Sequence, residues 1–337
     1  MRAVAYNIPQ PISAESSLID VDLPVPEATG HDLLVEIKAV SVNPVDVKVR
    51  AHTAPPVDEL KVLGWDAAGI VKAVGPDVTL FKPGDEVYYA GAINRPGSNA
   101  EFHLVDERIV GRKPKSLDFA AAAALPLTSI TAYEALFDRL KVQYPVAGAA
   151  RSLLIIGGAG GVGSIAIQIA HALTDLTVIA TASRPETQVW VKELGAHHVV
   201  DHSKPIAPQI AALSIGAPGF VFSTTNTDSH IADIVESIAP QGRFALIDDP
   251  KVLDIVPFKR KAVSVHWELM FTRPLFSTPD MIEQHKLLNR ISELVDTGKI
   301  RTTLTETVGT INAANLKKAH ARVESGRMKG KAVLAGF

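Results

Sequence analysis

Short apolar runs, broken by proline and glycine, dominate the first third of the chain. Residues 33–42, 67–74, 86–90 and 100–105 are β-prone, and Pro24, Pro26, Gly75-Pro76, Pro83-Gly84 and Pro96-Gly97 punctuate them. That spacing predicts a small barrel or curled sheet. Near residue 151 the rhythm changes. Residues 153–156 form a continuous apolar run, which reads as a buried strand. Val162, Ile165, Ala166, Ile169, Ala170 and Leu173 then recur at helical spacing. Residues 176–182, 198–201, 220–224 and 243–248 predict further strands. Helical segments at 185–194, 206–213 and 229–238 separate them. This alternation predicts an α/β architecture with a doubly wound parallel sheet.

After about residue 270 the pattern changes again. Thr278 predicts a helix cap, with Pro279 in the first position and Gly298 past the end. Met281, Leu288 and Val295 share one face of that helix with Leu287, Ile291 and Leu294. A second helix is predicted over 313–325 with Gly326 as its stop, and a strand over 331–334. The economical arrangement returns this tail to the first domain. The expected division is 1–125 with 270–337 for a discontinuous β-rich domain, and 126–269 for the parallel-sheet domain.

Composition narrows the class. The chain has 337 residues, 47% of them hydrophobic, and a net charge of −2. No global field favours nucleic acid or an anionic membrane. Cysteine is absent, which removes disulfides, thiolate metal ligands and a cysteine nucleophile together. The start, MRAVAYNIPQPIS, lacks a long apolar core, so no signal peptide is expected and the expected location is cytoplasmic. Residues 153–173 are nearly uncharged, but five glycines at the centre, with Gln168 and His171, argue against a membrane span.

The candidate chemistry starts at that glycine cluster. Gly157, Gly158, Gly160, Gly161 and Gly163 lie between the predicted strand and helix. GxGxxG is read as Gly158, Gly160 and Gly163, with Gly161 and Val162 inside it. Such a turn brings backbone close to a pyrophosphate, and the helix start offers it unpaired N–H groups. The tip of the next strand reads Thr181-Ala182-Ser183-Arg184-Pro185. An NAD enzyme places a carboxylate there for the ribose hydroxyls. Here Ser183 offers a hydroxyl and Arg184 a forked cation for a 2′-phosphate, so NADP(H) is the expected cofactor. A helix-capping serine and a solvated arginine are the plain alternative, and Glu186 lies just beyond.

The chain resembles the medium-chain dehydrogenase/reductase superfamily, and within it the quinone oxidoreductase (zeta-crystallin-like) branch. The motifs are SVNPVD at 41–46, GWDAAGIVKAVG at 64–75, FKPGDEV at 81–87, LPLTSITAYEAL at 125–136, GGAGGVGSIAIQIA at 157–170 and GRMKGKAVL at 326–334. The resemblance implies a GroES-like catalytic domain and a Rossmann domain with the active site in the cleft between them. It also implies hydride transfer from NADPH and a homodimer, for which 263–267 is a candidate pairing edge.

Zinc is the fork within the family. Where zinc-dependent relatives carry a cysteine and a histidine, this chain has Asn43 and Trp65, neither a plausible ligand. The four-cysteine lobe is also absent, and no metal is expected. His197, His198 and His202 are read as strand-edge histidines. Without zinc, hydrogen-bond donors must stabilise charge on the substrate oxygen. Asn43 is the expected donor, and Lys48 is either an alternative donor of a hydrogen bond or proton or a member of a surface salt bridge. Read as an extended segment, Lys48 faces the same side as Asp46, which is expected to orient its neighbours. Relatives often carry a tyrosine near the position of Lys48, so the lysine is a departure from the family pattern. By resemblance Thr128 contacts the nicotinamide, with a helix-start threonine as the alternative. Trp65 and Phe271 are read either as walls for a flat, conjugated substrate or as core.

Three functions compete at this point. They are an NADPH-dependent reductase of quinones or other α,β-unsaturated carbonyls, an alcohol dehydrogenase or carbonyl reductase, and a non-catalytic dinucleotide-binding or RNA-binding protein. The basic clusters at 258–261 and at Lys317-Lys318 are short enough to be solvated faces.

Overall fold

The computed structural model describes residues 1–337. The chain divides into two compact units, Met1–Ile130 with Phe271–Phe337, and Thr131–Met270.

The first unit is built on a seven-stranded sheet. Leu304–Gly309, Lys331–Ala335, Asp32–Ser41, Ala67–Val74, Glu86–Tyr89 and Val110–Arg112 follow one another across it, and Phe102–Asp106 also pairs with Asp32–Ser41. Asp32–Ser41 shows alternating burial over most of its length, as expected of a strand with one face on the core. A small sheet of Ile19–Asp22, Arg2–Tyr6 and Lys61–Val62 completes the β structure. The C-terminal strand Lys331–Ala335 pairs antiparallel with Asp32–Ser41, which joins the tail to the first third of the chain.

The second unit holds six parallel strands. Their order is His198–Val200, Thr177–Thr181, Ala150–Ile156, Pro218–Ser223, Arg243–Leu246 and Ser264–Trp267. The first three run backwards in sequence and the last three forwards. The order therefore reverses between Ala150–Ile156 and Pro218–Ser223, the place where doubly wound sheets receive ligands. Pro218–Ser223 is buried at every residue, as a central parallel strand covered by helices on both faces must be. Leu154, Ile179, Val221 and Phe244 meet Ile206, Ile234 and Ile238 in the core.

Three elements differ from expectation. Residues 44–52 are a helix, Pro44–His52, where an extended segment was expected. The helix expected to begin at Thr278 begins instead at Glu283, because Ser277 takes a left-handed conformation and the chain turns before the helix starts. Helix Pro126–Tyr133 runs on into a π-helical turn, Glu134–Arg139, which no sequence pattern announced. The stretch Phe119–Arg139 is long and apolar enough to cross a membrane, but it is mostly buried within the protein.

Candidate active site

The polar residues of the SVNPVD and GWD motifs converge in the first unit, and they converge on each other. Asn43 stands before helix Pro44–His52, and Pro44 occupies the first turn, where a missing N–H costs nothing. The Asn43 backbone N–H donates to Asp46 Oδ2 at 2.8 Å. The Asn43 side-chain amide donates to Asp66 Oδ2 at 2.9 Å and to the Trp65 carbonyl at 3.2 Å. Lys331 supplies the positive charge. Its ammonium donates to the Val42 carbonyl at 3.0 Å, to Asp66 Oδ2 at 3.0 Å and to Asn43 Oδ1. Asp66 Oδ1 then accepts the Leu127 N–H at 2.8 Å, at the start of helix Pro126–Tyr133.

All of this is dry. Asn43 is 1% exposed, Asp66 0% and Lys331 2%. An ammonium has three protons, and here three oxygens receive them. Removing one partner of such a buried pair costs about 3–5 kcal/mol, because the other charge is left without compensation. Burial pushes the Asp66 carboxyl up, and the Lys331 charge and the bonds from Leu127 and Asn43 oppose it. Burial likewise pushes Asp46 up, to about 7, against its bond from Asn43 and the charge of Lys331.

This geometry corrects the role expected of Asn43. Both amide protons are committed within the protein, so the side chain is not aimed at a substrate oxyanion. The placement expected of Lys48, on the same side as Asp46, is corrected as well. On a helix, residues two apart point to different sides; accordingly Asp46 is buried and Lys48 exposed. Thr128 is buried and donates its hydroxyl to the Leu125 carbonyl at 3.1 Å, the plainer of its two readings. Trp65 and Phe271 are both buried and meet edge to face at 6.1 Å, as core. Sequence reasoning passed over Lys331 and Asp66. The available signal was a lysine opening an apolar strand, KAVLA.

In the second unit the glycine turn joins strand Ala150–Ile156 to helix Gly161–Leu173. Gly157 has φ +80°, and a Cβ on Gly163 would lie 2.2 Å from the Gly157 carbonyl oxygen. Those two glycines are required by the turn itself. Gly160 is different. A Cβ there would meet only the Gly157 carbonyl oxygen at 3.6 Å, so the protein alone does not demand glycine. The Gly157 N–H donates to Thr181 Oγ1 at 3.0 Å, which ties the turn to the tip of the neighbouring strand. The same hydroxyl pairs with His202 Nδ1 at 3.0 Å. At the tip, Arg184 precedes helix Pro185–Glu193 as its cap residue, so Ser183 is not the cap. Arg184 Nε lies 3.3 Å from Glu186 Oε1.

A buried acid pair lies elsewhere in this unit. Glu134 and Glu268 are both buried, and Arg139 Nε donates to Glu268 Oε2 at 2.8 Å. Burial and the neighbouring Glu134 raise the Glu268 carboxyl well above the usual range, and Arg139 opposes them.

Comparison with known proteins places these features. Residues 29–115 match the alcohol dehydrogenase GroES-like domain, and residues 194–334 match zinc-binding dehydrogenase. A zinc-type alcohol dehydrogenase-like protein of Staphylococcus aureus is 42% identical over 313 residues, covering 92% of each chain. The chain belongs to the medium-chain dehydrogenase/reductase superfamily. Within this superfamily, the quinone oxidoreductase of Lama guanicoe is 32% identical over 259 residues, 76% of this chain and 74% of that protein. A crystal structure from Rhizobium etli CFN 42, provisionally assigned as a zinc-dependent alcohol dehydrogenase, is 71% identical. It covers 100% of this chain and 98% of its own, with a TM-score of 0.99. The β-rich unit is accordingly GroES-like and the parallel sheet Rossmann-like.

The superfamily raises the question of zinc, and the donor set answers it. Asn43 Oδ1 is taken by an ammonium. The indole of Trp65 donates to the Ala92 carbonyl at 3.3 Å and has no lone pair to give. No three His, Cys, Asp or Glu side chains are grouped to hold a metal. His197 Nδ1 accepts the Val178 N–H, and His202 faces Thr181. These residues do not fit zinc. The glycine turn does fit a dinucleotide: Gly158 and Gly160 lead into helix Gly161–Leu173, which Gly161, Val162 and Gly163 open and whose first turn has no side-chain cap. The room beside Gly160 suits a pyrophosphate.

Proposed function

We propose that this member of the superfamily is an NADPH-dependent reductase of quinones and other α,β-unsaturated carbonyl compounds. One observation carries the reading: the expected catalytic polar groups, Asn43, Asp46 and Thr128, are buried and bonded within the protein. An alcohol or simple carbonyl needs a strong polariser or base at the reacting oxygen. An enone or quinone needs far less, because conjugation spreads the charge that hydride addition creates.

The bound reduced nicotinamide would supply the hydride. The chain's own work is to hold it. Gly158, Gly160, Gly161, Val162 and Gly163 would face the pyrophosphate, and Ser183 and Arg184 the 2′-phosphate, at a strand tip with no carboxylate. Water would provide the proton that completes reduction. Kinship with a quinone oxidoreductase supports the acceptor class. A cytoplasmic homodimer is the form proposed to act.

A turnover assay tests the reading. With NADPH, the purified protein is expected to reduce a panel of quinones and enones, to leave primary alcohols unoxidised with NADP, and to keep its rate under a strong chelator. Alcohol oxidation lost on chelation would instead support the dehydrogenase reading.

A further inference from the structure

We propose that Lys331 is a positioning residue for hydride transfer, its buried ammonium locking the SVNPVD, GWD and LPLTSITAYEAL segments of the GroES-like unit into one arrangement. The inference rests on the reductase reading above.

The three segments come from distant parts of the chain. The Val42 carbonyl and Asn43 Oδ1 end strand Asp32–Ser41 and open helix Pro44–His52. Asp66 belongs to the GWD turn. Leu127, bonded through Asp66 Oδ1, starts the helix that carries Thr128. Lys331 reaches the first two directly and the third through one carboxylate. Its own backbone is fixed, since the Lys331 N–H donates to the Thr303 carbonyl at 2.9 Å.

The charge matters as well as the bonds. Asp66 Oδ1 accepts the Leu127 N–H at the start of helix Pro126–Tyr133, and a buried carboxylate needs a countercharge to stay ionised. Lys331 is that countercharge, at 3.0 Å. Without it, Asp66 protonates or turns away, and the 41–46, 64–66 and 126–128 segments lose their common tie. A hydrophobic pair would fill the same volume and hold the fold, but it would not fix direction. Misplacement of reacting groups by about 1 Å lowers rates by roughly a hundredfold.

The experiment uses Lys331→Met and the double variant Lys331→Met/Asp66→Asn in the full-length enzyme. The double variant removes both charges and keeps an oxygen for the Leu127 N–H, so it is expected to fold even where the single variant does not. Melting temperature, NADPH affinity by fluorescence titration, and kcat with a quinone are measured well below the melting transition. The expected result is a kcat lowered by about tenfold to a hundredfold in the double variant, with NADPH affinity within about twofold of the unmutated enzyme. Recovery of kcat together with the melting temperature would show a purely structural role and overturn the proposal. Equal loss of NADPH affinity would overturn it too, since that is general damage. Hydrogen exchange separates this outcome from failure of the reductase reading. Faster exchange at residues 41–46 and 126–130, with strand Ala150–Ile156 unchanged, is expected even if no quinone is turned over; unaltered exchange there defeats the positioning role by itself.

Discussion

Arg184 and Glu186 show how one neighbour changes the value of a charge. A charge-assisted pair between Arg184 and a 2′-phosphate is worth on the order of 1.5–3 kcal/mol, or roughly tenfold to a hundredfold in binding. Glu186 already lies 3.3 Å from Arg184 Nε, with the Arg184 side chain half-buried and that of Glu186 exposed. Arg184→Ala is therefore expected to raise the NADPH KM by about tenfold, the lower end of that range, with little change for NADH. Glu186→Gln removes the competing carboxylate and is expected to lower the NADPH KM by up to about fivefold. Steady-state kinetics with both cofactors checks the pair; equal use of NADPH and NADH by the unmutated enzyme contradicts the assignment. The glycine turn and the missing strand-tip carboxylate were legible in sequence, because backbone sterics fix what those positions tolerate. Lys331 was not legible, because lysine is ordinarily exposed and only partners 265 to 289 residues away explain its burial.

At the scale of elements, the π-helical turn Glu134–Arg139 brings Glu134 and Arg139 to Glu268, which follows strand Ser264–Trp267. Because burial and Glu134 raise the folded-state pKa of Glu268, the folded protein holds a proton that the unfolded chain releases. Stability from this group is fully present below the ordinary glutamate range and is lost as pH rises through the folded-state value. Glu268→Gln keeps a neutral side chain of the same shape. It is expected to flatten the fall in melting temperature from pH 5 to pH 9 and to stabilise the protein on the alkaline side. Calorimetry across that range decides, and parallel profiles for the two proteins would refute the raised pKa of Glu268. Helix Pro44–His52 shows why an element can be misread. Val45, Val47 and Val49 alternate with polar residues, which is strand periodicity. Asn43 at the cap and Pro44 in the first turn were the opposing signals, and the local bond from the Asn43 N–H to Asp46, with the long-range bond from Arg50 to the Gln10 carbonyl, settled the outcome.

For the whole molecule, the open edge of the Rossmann-like sheet carries the next expectation. Strand Ser264–Trp267 is the last in its sheet, and Trp267 is 53% exposed, where Trp65 is 1% exposed. Val252, Ile255, Val256 and Leu269 are also exposed in the same unit. An unpaired edge with exposed apolar side chains suits pairing with a second copy across a two-fold axis. Light scattering is expected to give a dimer mass for the unmutated protein and a monomer for Trp267→Glu with unchanged circular dichroism. A monomer mass for the unmutated protein at micromolar concentration rules the pairing out. By itself the sequence determined the two kinds of sheet, the dinucleotide turn and the superfamily. The sheets and the turn rest on local rules: the period of apolar residues, proline and glycine at turns, and the space a backbone leaves at a glycine; the superfamily rests on resemblance in a series of motifs from SVNPVD at 41–46 to GRMKGKAVL at 326–334. Only the tertiary structure decided what the polar residues do. It turned Asn43 and Thr128 inward and paired Lys331 with Asp66, because a buried donor or charge takes its meaning from partners distant in sequence.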